Sequence, residues 1–148
     1  MAPEPPSGPA SEADAIEVSR ALKLDGFFPE FSAELCGKVF PRSRVLFYDG
    51  GERLMEQGEA GRDLLIVLDG TVSVSMSLGS AGTELAQLGV GALLGEKGLL
   101  RDGVRGATVC AVTPVRVFRL AFGDLGYLLK NNPELAAHLQ ELLRQRSS

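Results

Sequence analysis

The residues best suited to hold a charged ligand stand close together between positions 94 and 108. Gly95 precedes Glu96, and Arg105 follows in the same segment. A glycine before a short helical turn lets the backbone approach an anion, because the free N–H groups of that turn point at it. The Arg105 guanidinium can donate to two phosphate oxygens, whereas the Glu96 carboxylate only accepts and suits a sugar hydroxyl. The two side chains could instead pair only with each other at the surface.

Short strands are the elements that must position this segment. Glycines recur at short intervals from residue 45 to residue 120 and separate brief apolar runs, which is typical of antiparallel strands joined by tight turns. One run is continuously apolar, as in a strand buried on both faces, and the next alternates apolar with polar residues. The last two are joined by a turn at Thr113 and Pro114. The pattern predicts an all-β sandwich or barrel. The predicted strands are 64–68, 71–78, 109–112 and 115–120.

Helical patterns lie before these strands. Ser11 and Asp14 have the spacing of a capping box, and the helix that they begin is predicted to stop before Gly26. Ser32 is predicted to cap a second short helix, which Pro41 ends.

Two more helices are predicted after the strands. Asn132 is the predicted cap of the second, with Pro133 at its first position. His138, the single histidine, is predicted to face solvent and to be neither a ligand nor a base. The predicted inward faces are Phe122, Leu125, Leu128 and Leu129 in the first helix, and Leu135, Leu139, Leu142 and Leu143 in the second.

The length of 148 residues suits one domain with a single core. The formal charge of −4 disfavours a nucleic-acid partner, because phosphate backbones are held mostly by Lys and Arg. Cys36 and Cys110 lie in apolar patterns, so we expect two reduced thiols, and the chain offers no metal-ligand spacing. No signal peptide or membrane-spanning run is present, so we expect a cytoplasmic protein. The predicted organisation is a flexible tail over 1–10 and one domain over 11–148, with helices at about 11–40, a β-roll at about 45–120 and C-terminal helices at about 121–146.

The segment that carries Glu96 and Arg105 resembles the phosphate-binding cassette of cyclic nucleotide-binding domains. That cassette has the pattern Phe-Gly-Glu-x-Ala-Leu, a short loop, and Pro-Arg-x-Ala-Thr/Ser. Stretches 51–74 and 132–139 also resemble the family, and the likeness covers roughly residues 20–143. The residues that fall on the cassette pattern are Gly95, Glu96, Leu99, Arg105, Ala107 and Thr108.

The resemblance implies a mainly β jelly roll, a double-stranded β-helix with N-terminal helices and two C-terminal helices. It also implies that Glu96 holds the ribose 2′-hydroxyl and that Arg105 holds the cyclic phosphate. Thr108 stands where a hydroxyl can reach a guanine amino group, so both cAMP and cGMP stay open as ligands. The N–H groups expected to complete the cradle belong to Gly95, Gly98 and Ala107.

Four residues depart from the family pattern. Leu94 replaces Phe, Gly98 replaces Ala, and Val104 replaces Pro, which removes a rigid φ from the loop. Lys97 stands where an apolar residue normally packs, and it adds positive charge near the expected phosphate. The full predicted ligand-binding set is Gly95, Glu96, Lys97, Gly98, Leu99, Arg105, Gly106, Ala107 and Thr108, with no catalytic residue and no metal.

The resemblance implies a regulatory module without catalysis, whose ligand is cAMP or cGMP and which needs no other cofactor. We expect it to act in trans, through a protein effector or self-association, with no nucleic-acid or membrane partner, unless the chain is a fragment. Two alternatives stay open, a scaffold that keeps the fold only for protein contacts and a receptor for a cyclic dinucleotide.

Overall fold

The structure, a computed structural model, describes residues 5–78, 81–100 and 103–147. Within these ranges, helices lie toward both ends of the chain and most of the strands lie between them, as the sequence predicts. One further short helix lies among the strands. The elements in chain order are β1 (Ser7–Gly8), α1 (Glu12–Leu22), α2 (Ala33–Val39), β2 (Arg44–Tyr48), β3 (Arg53–Met55), β4 (Leu64–Asp69), β5 (Val72–Leu78), β6 (Ala81–Leu88), β7 (Leu93–Leu94), α3 (Glu96–Leu100), β8 (Thr108–Ala111), β9 (Val115–Leu120), α4 (Phe122–Asn131) and α5 (Pro133–Ser147).

The strands form two antiparallel sheets that face each other. One has the order β1-β2-β9-β4-β7 and the other the order β3-β8-β5-β6. The consecutive strands β8 and β9 therefore lie in different sheets, so the turn between them crosses from one sheet to the other. This architecture confirms the predicted mainly β fold with flanking helices.

Two hydrophobic cores share the strand β4. Leu64 and Ile66 pack with the helices on the outer face of the five-stranded sheet, whereas Leu65 and Val67 face the four-stranded sheet. Successive residues of a strand point to opposite faces, so a strand between two cores must be apolar throughout. The continuous apolar run predicted as a doubly buried strand is thereby confirmed.

Side-chain caps begin three of the helices, as predicted. The Ser11 hydroxyl accepts from the Asp14 N–H at 3.1 Å, and the Asp14 carboxylate accepts from the Ser11 N–H at 2.9 Å. The Ser32 hydroxyl caps α2 at 3.0 Å, and the Asn132 amide oxygen caps α5 at 3.2 Å. Each cap satisfies an N–H that has no partner inside its helix.

The prediction of a flexible tail over residues 1–10 is wrong for β1. Ser7 pairs with Leu46, and Gly8 pairs with Val45. Without β1, strand β2 would be an open edge of the five-stranded sheet, and its unpaired backbone groups supply the partners that order these residues.

The predicted inward face of α4 is wrong in part. Leu128 is buried and Leu125 is partly buried against the core, but Phe122 is 45% exposed and Leu129 is 53% exposed. The buried face is turned toward Asp124, which is fully buried and accepts from Arg42 N at two distances of 3.1 Å. A carboxylate that satisfies backbone groups outweighs the apolar stripe in orienting this short helix.

His138 is half-buried, whereas the sequence predicts that it faces solvent. Its Nε2 lies 2.9 Å from the carbonyl oxygen of Leu22, and its ring centroid lies 5.0 Å from that of Phe27. The last carbonyls of a helix lack partners within it, so α5 supplies one to the C-terminal end of α1.

Three observations on the described residues concern their thiols, their helices and their potential metal ligands. Cys36 and Cys110 are both free. No described helix has the length and apolar character needed to cross a membrane. Within the same ranges, His, Cys, Asp and Glu side chains do not gather into any group of three that could hold a metal ion.

Candidate ligand-binding site

A pocket of about 210 Å³ lies between the inner face of the four-stranded sheet and the segment around α3. Its apolar wall comes from five strands, with the side chains of Met55, Val74, Met76, Leu85, Leu88, Leu93, Leu94 and Val109. Its opposite wall consists of Gly95, Glu96, Lys97, Gly106 and Ala107. The fold thus brings five of the predicted ligand-binding residues to one pocket. The acidic Glu96 and the basic Lys97 lie side by side, opposite an apolar surface.

Gly95 shapes the entrance to α3. Its φ of +87° belongs to the left-handed region, which side chains with a Cβ rarely adopt. A Cβ at this position would also lie 2.4 Å from Nη1 of Arg105. Both the turn into α3 and the close approach of Arg105 therefore require glycine here.

Gly98 has its role on the side of α3 that faces the loop at Gly61. It is buried, and a Cβ on it would lie 2.2 Å from the carbonyl oxygen of Gly61. Gly98 does not line the pocket, so its contribution of an N–H to the ligand stays a prediction. The departure from alanine at this position has a physical reason, since the carbonyl of Gly61 occupies the space that a methyl group would need.

Arg105 is buried behind the cassette, with 8% of its surface exposed. Its Nη1 donates to the carbonyl oxygen of Asp63 at 2.7 Å and lies 3.5 Å from that of Gly95. Burial lowers the pKa of Arg105, while the nearby carboxylates of Asp63 and Glu59 act in the opposite direction. Among the described ion pairs none joins Arg105 to Glu96, so the alternative of a surface pair between them is not what the structure contains.

Arg105 does not line the pocket but borders a separate polar cavity of about 160 Å³. Tyr48 and Arg119 border the same cavity. Burial raises the pKa of Tyr48. The Nε atom of Arg119 is buried and has no hydrogen-bond partner among the described residues. The Asp63 carboxylate supplies counter-charge, 3.8 Å from Arg119 Nε, and accepts from the Phe122 N–H at 3.1 Å.

Sequence reasoning missed Asp63. This residue connects the Arg105 side chain, which donates to its carbonyl oxygen, to the first N–H of α4, which donates to its carboxylate. The clue in the sequence is a charged residue directly before the fully buried run that begins at Leu64. A carboxylate at that point needs partners nearby.

Thr108 points away from the pocket. Its hydroxyl accepts from the Gln57 N–H at 3.0 Å, whereas its neighbours Ala107 and Val109 line the pocket. Successive residues of a strand face opposite ways, so a contact between Thr108 and a guanine is not favoured by this geometry. The backbone of Leu99 belongs to α3, and its side chain lies outside the described part of the structure, as do residues 101 and 102.

Comparisons with known proteins identify related sequences and a common fold. Residues 45–132 match the family described as the cyclic nucleotide-binding domain. The chain is 41% identical over 78 residues to the cAMP-dependent protein kinase type II regulatory subunit of Drosophila melanogaster, covering 53% of this chain and 20% of that protein. It is 33% identical over 110 residues to the cyclic AMP receptor protein of Thermus thermophilus, covering 74% of this chain and 47% of that protein. The chain spans less than half the length of either curated relative.

A solved structure confirms the fold over nearly the whole chain. It is that of a cyclic nucleotide-binding domain from Methylobacillus flagellatus KT, with a TM-score of 0.80 and 24% identity. The match covers 97% of this chain and 84% of that one. This structure confirms the predicted jelly roll with flanking helices. The predicted family is confirmed by the match over residues 45–132.

Proposed function

We propose that this chain, which belongs to the cyclic nucleotide-binding domain family, binds a cyclic nucleotide and switches a partner protein in response. The observation that carries the proposal is the pocket of about 210 Å³, in which Glu96 and Lys97 face an apolar wall within the residues matched to the family. A nucleotide likewise has one end that suits an apolar wall, its flat base, and another that suits charged side chains, its sugar and anionic phosphate.

The size of the pocket favours one nucleotide over two. Small-molecule sites usually enclose about 300–1,000 Å³. The pocket of about 210 Å³ lies below that range, so cAMP or cGMP fits more readily than a cyclic dinucleotide. The base would lie against the apolar wall, where Met55, Val74 and Val109 offer packing but no hydrogen bonds to a base edge.

Charge orients the nucleotide in this pocket. The Glu96 carboxylate can accept from the ribose 2′-hydroxyl and would repel a phosphate. The phosphate would therefore lie near Lys97 and the backbone of Gly95 and Ala107. Arg105 adds positive charge from behind the cassette, where it is buried.

The switch would act through the helices that adjoin the pocket. Helix α3, whose first two residues line the pocket, lies against α5, and α5 also packs against α4. A ligand that binds one arrangement of these helices more tightly than another shifts the population between them. The module would not itself be an enzyme, and its effector, or its self-association, and its cytoplasmic location stay predictions.

The proposal is tested by isothermal titration calorimetry of the purified chain with cAMP, cGMP and cyclic di-GMP. We expect at least one cyclic mononucleotide to bind, and Glu96→Gln to weaken it because a neutral amide accepts more weakly from the ribose hydroxyl. Glu34→Gln is the matched control, since Glu34 is exposed on α2 and pairs only with Lys38 at 3.2 Å among the described ion pairs.

A 2′-deoxy analogue of the nucleotide makes the assignment of Glu96 specific. If Glu96 holds the 2′-hydroxyl, removing both partners costs no more than removing one, so the two losses are not additive. Additive losses would remove Glu96 from this role. Absence of binding by all three nucleotides would contradict the proposed function and favour a scaffold that uses this fold only for protein contacts.

A further inference from the structure

The loop over residues 58–61 lies against both halves of the cassette, α3 and residues 103–105. Main-chain hydrogen bonds of 2.8 and 2.9 Å join the loop to residues 103–105. On its other side, the carbonyl oxygen of Gly61 occupies the space that a Cβ on Gly98 of α3 would need. A shift of the cassette must therefore move this loop or break its hydrogen bonds.

Arg62 extends from the end of this loop to Phe122, the first residue of α4. Its Cζ lies 5.2 Å from the centroid of the Phe122 ring, which is within the range of a cation–π contact. The same guanidinium packs on Gly103, since a Cβ there would lie 2.8 Å from its Nε, 3.1 Å from its Cζ and 3.2 Å from its Nη2. One side chain thus contacts both the backbone of the cassette and the start of α4.

Gly103 makes this contact possible. Its φ of +74° lies in the left-handed region that favours glycine, and a side chain here would meet the guanidinium. None of the described ion pairs involves Arg62, so no carboxylate among them draws the guanidinium away from the ring. The backbone of Gly103 is itself buried, although the Arg62 side chain is exposed.

Phe122 is held at two points by consecutive residues of the chain. Its N–H donates to the Asp63 carboxylate at 3.1 Å, and its ring meets the Arg62 guanidinium. The hydrogen bond fixes where α4 begins, and the contact with the ring restricts rotation about that bond. The contact also gives the ring, which is 45% exposed, a partner outside the core.

We propose that Arg62 is a positioning residue that couples the nucleotide pocket to α4. The inference rests on the proposed function of this pocket and names a side chain through which the switch would act, besides the contact of α3 with α5. When a ligand moves residues 103–105, the guanidinium that packs on them moves as well, and the ring of Phe122 follows. Arg62 is not among the described residues that line the pocket, so its loss should change the response of α4 more than the affinity for the ligand.

The test follows α4 by fluorine NMR of the full chain labelled with fluorotyrosine. The sequence contains two tyrosines, Tyr48 and Tyr127, and Tyr127 is exposed on α4. The variant Tyr127→Phe identifies which signal belongs to α4. The ligand is cAMP or cGMP, whichever binds the wild-type chain more tightly in calorimetry. We expect a saturating concentration of it to shift the Tyr127 signal of the wild-type chain.

Arg62→Met should uncouple this shift from binding. We expect the ligand-induced shift of the Tyr127 signal to fall by about half or more, while the dissociation constant stays within about fivefold of the wild-type value. Arg62→Lys should keep part of the shift, because an ammonium group also makes a cation–π contact. Arg20→Met is the matched control, since Arg20 is exposed on α1 and pairs with Glu17.

Phe122→Leu tests the other partner of the contact. It should reduce the shift of the Tyr127 signal as Arg62→Met does, and the double variant should lose no more than either single one, because both remove the same contact. If the wild-type chain binds a nucleotide but Arg62→Met keeps the full shift, if the two losses add, or if the Tyr127 signal of the wild type does not shift, the inference is overturned and the proposed function stands. If the wild-type chain binds neither nucleotide, both are overturned.

Discussion

Replacing Gly98 by alanine is expected to destabilise the fold and weaken nucleotide binding. The new Cβ would lie 2.2 Å from the carbonyl oxygen of Gly61, whereas ordinary contact begins at 3.4 Å, so α3 and this loop must separate by 1.2 Å. Overpacking of this kind costs about 1–3 kcal/mol, and the better helix propensity of alanine returns up to about 1 kcal/mol. We therefore expect a net loss of about 1–2 kcal/mol in the free energy of unfolding, measured by urea denaturation.

Gly37→Ala is the matched control for this experiment. Gly37 is also inside a helix, but a Cβ there would have nothing within 4 Å, so the same substitution should stabilise the protein by about 0.5–1 kcal/mol. The opposite signs isolate the contact with Gly61 from helix propensity. If Gly98→Ala is as stable as Gly37→Ala and binds nucleotide like the wild type, the close contact between α3 and Gly61 determines neither stability nor binding.

Three further predictions concern buried groups. Asp124→Ala should lower the free energy of unfolding, measured in urea, by about 2–4 kcal/mol, because it leaves the Arg42 N–H and the Ser43 hydroxyl without their acceptor. A loss below about 1 kcal/mol would contradict this prediction. Burial alone would raise the pKa of Asp14, but hydrogen bonds from the Ser11 backbone and from Arg116 hold it below its usual value. Its stabilisation is thus complete above its unfolded-state pKa of about 4 and is lost as the pH falls through the lower folded value, so Asp14→Asn should flatten stability against pH in acid. Burial raises the pKa of Cys36 to about 12, so a thiol reagent should label it only at the rate of opening, and labelling as fast as that of a free peptide thiol would refute its burial.

Much of the fold could be predicted because local chemistry determines it. The cap residues Ser11, Ser32 and Asn132 begin helices by satisfying N–H groups a few residues away, and this requires no knowledge of the rest of the chain. The apolar run in β4 likewise needs cores on both faces wherever the strand is placed. The presence of these elements therefore follows from short stretches of sequence.

The errors concern contacts between distant parts of the chain. His138 is 116 residues from Leu22, whose carbonyl oxygen it contacts. Strand β1 could not be predicted from its own residues, because it forms only by pairing with the edge of β2. The same holds for Asp124, which orients α4 by accepting hydrogen bonds from Arg42 and Ser43. These two residues precede it in the chain by 82 and 81 positions. No periodicity in the sequence reports such partners.

The candidate site shows the same division. Gly95, Glu96 and Lys97 could be expected at the pocket because they are adjacent in a turn that the glycine allows. The direction of Arg105 could not, because it is decided by the carbonyl of Asp63, 42 residues away, and by the space that glycines leave around the guanidinium. Residue type and spacing locate a charge in a segment, but not the face of that segment on which it lies.

Asp63 gives the pocket a mechanical connection to the C-terminal helices. Its carbonyl holds Arg105 at 2.7 Å, its carboxylate holds the first N–H of α4 at 3.1 Å, and the next residue, Leu64, is fully buried. Asp63 is therefore hydrogen-bonded on one side to the segment behind the pocket and on the other to α4. On the proposed function, a ligand that drew Gly95 inward would either shift Arg105 and tilt the end of α4 or break one of these hydrogen bonds. On the proposed function, the orientation of α4 would therefore differ between the empty and the occupied pocket.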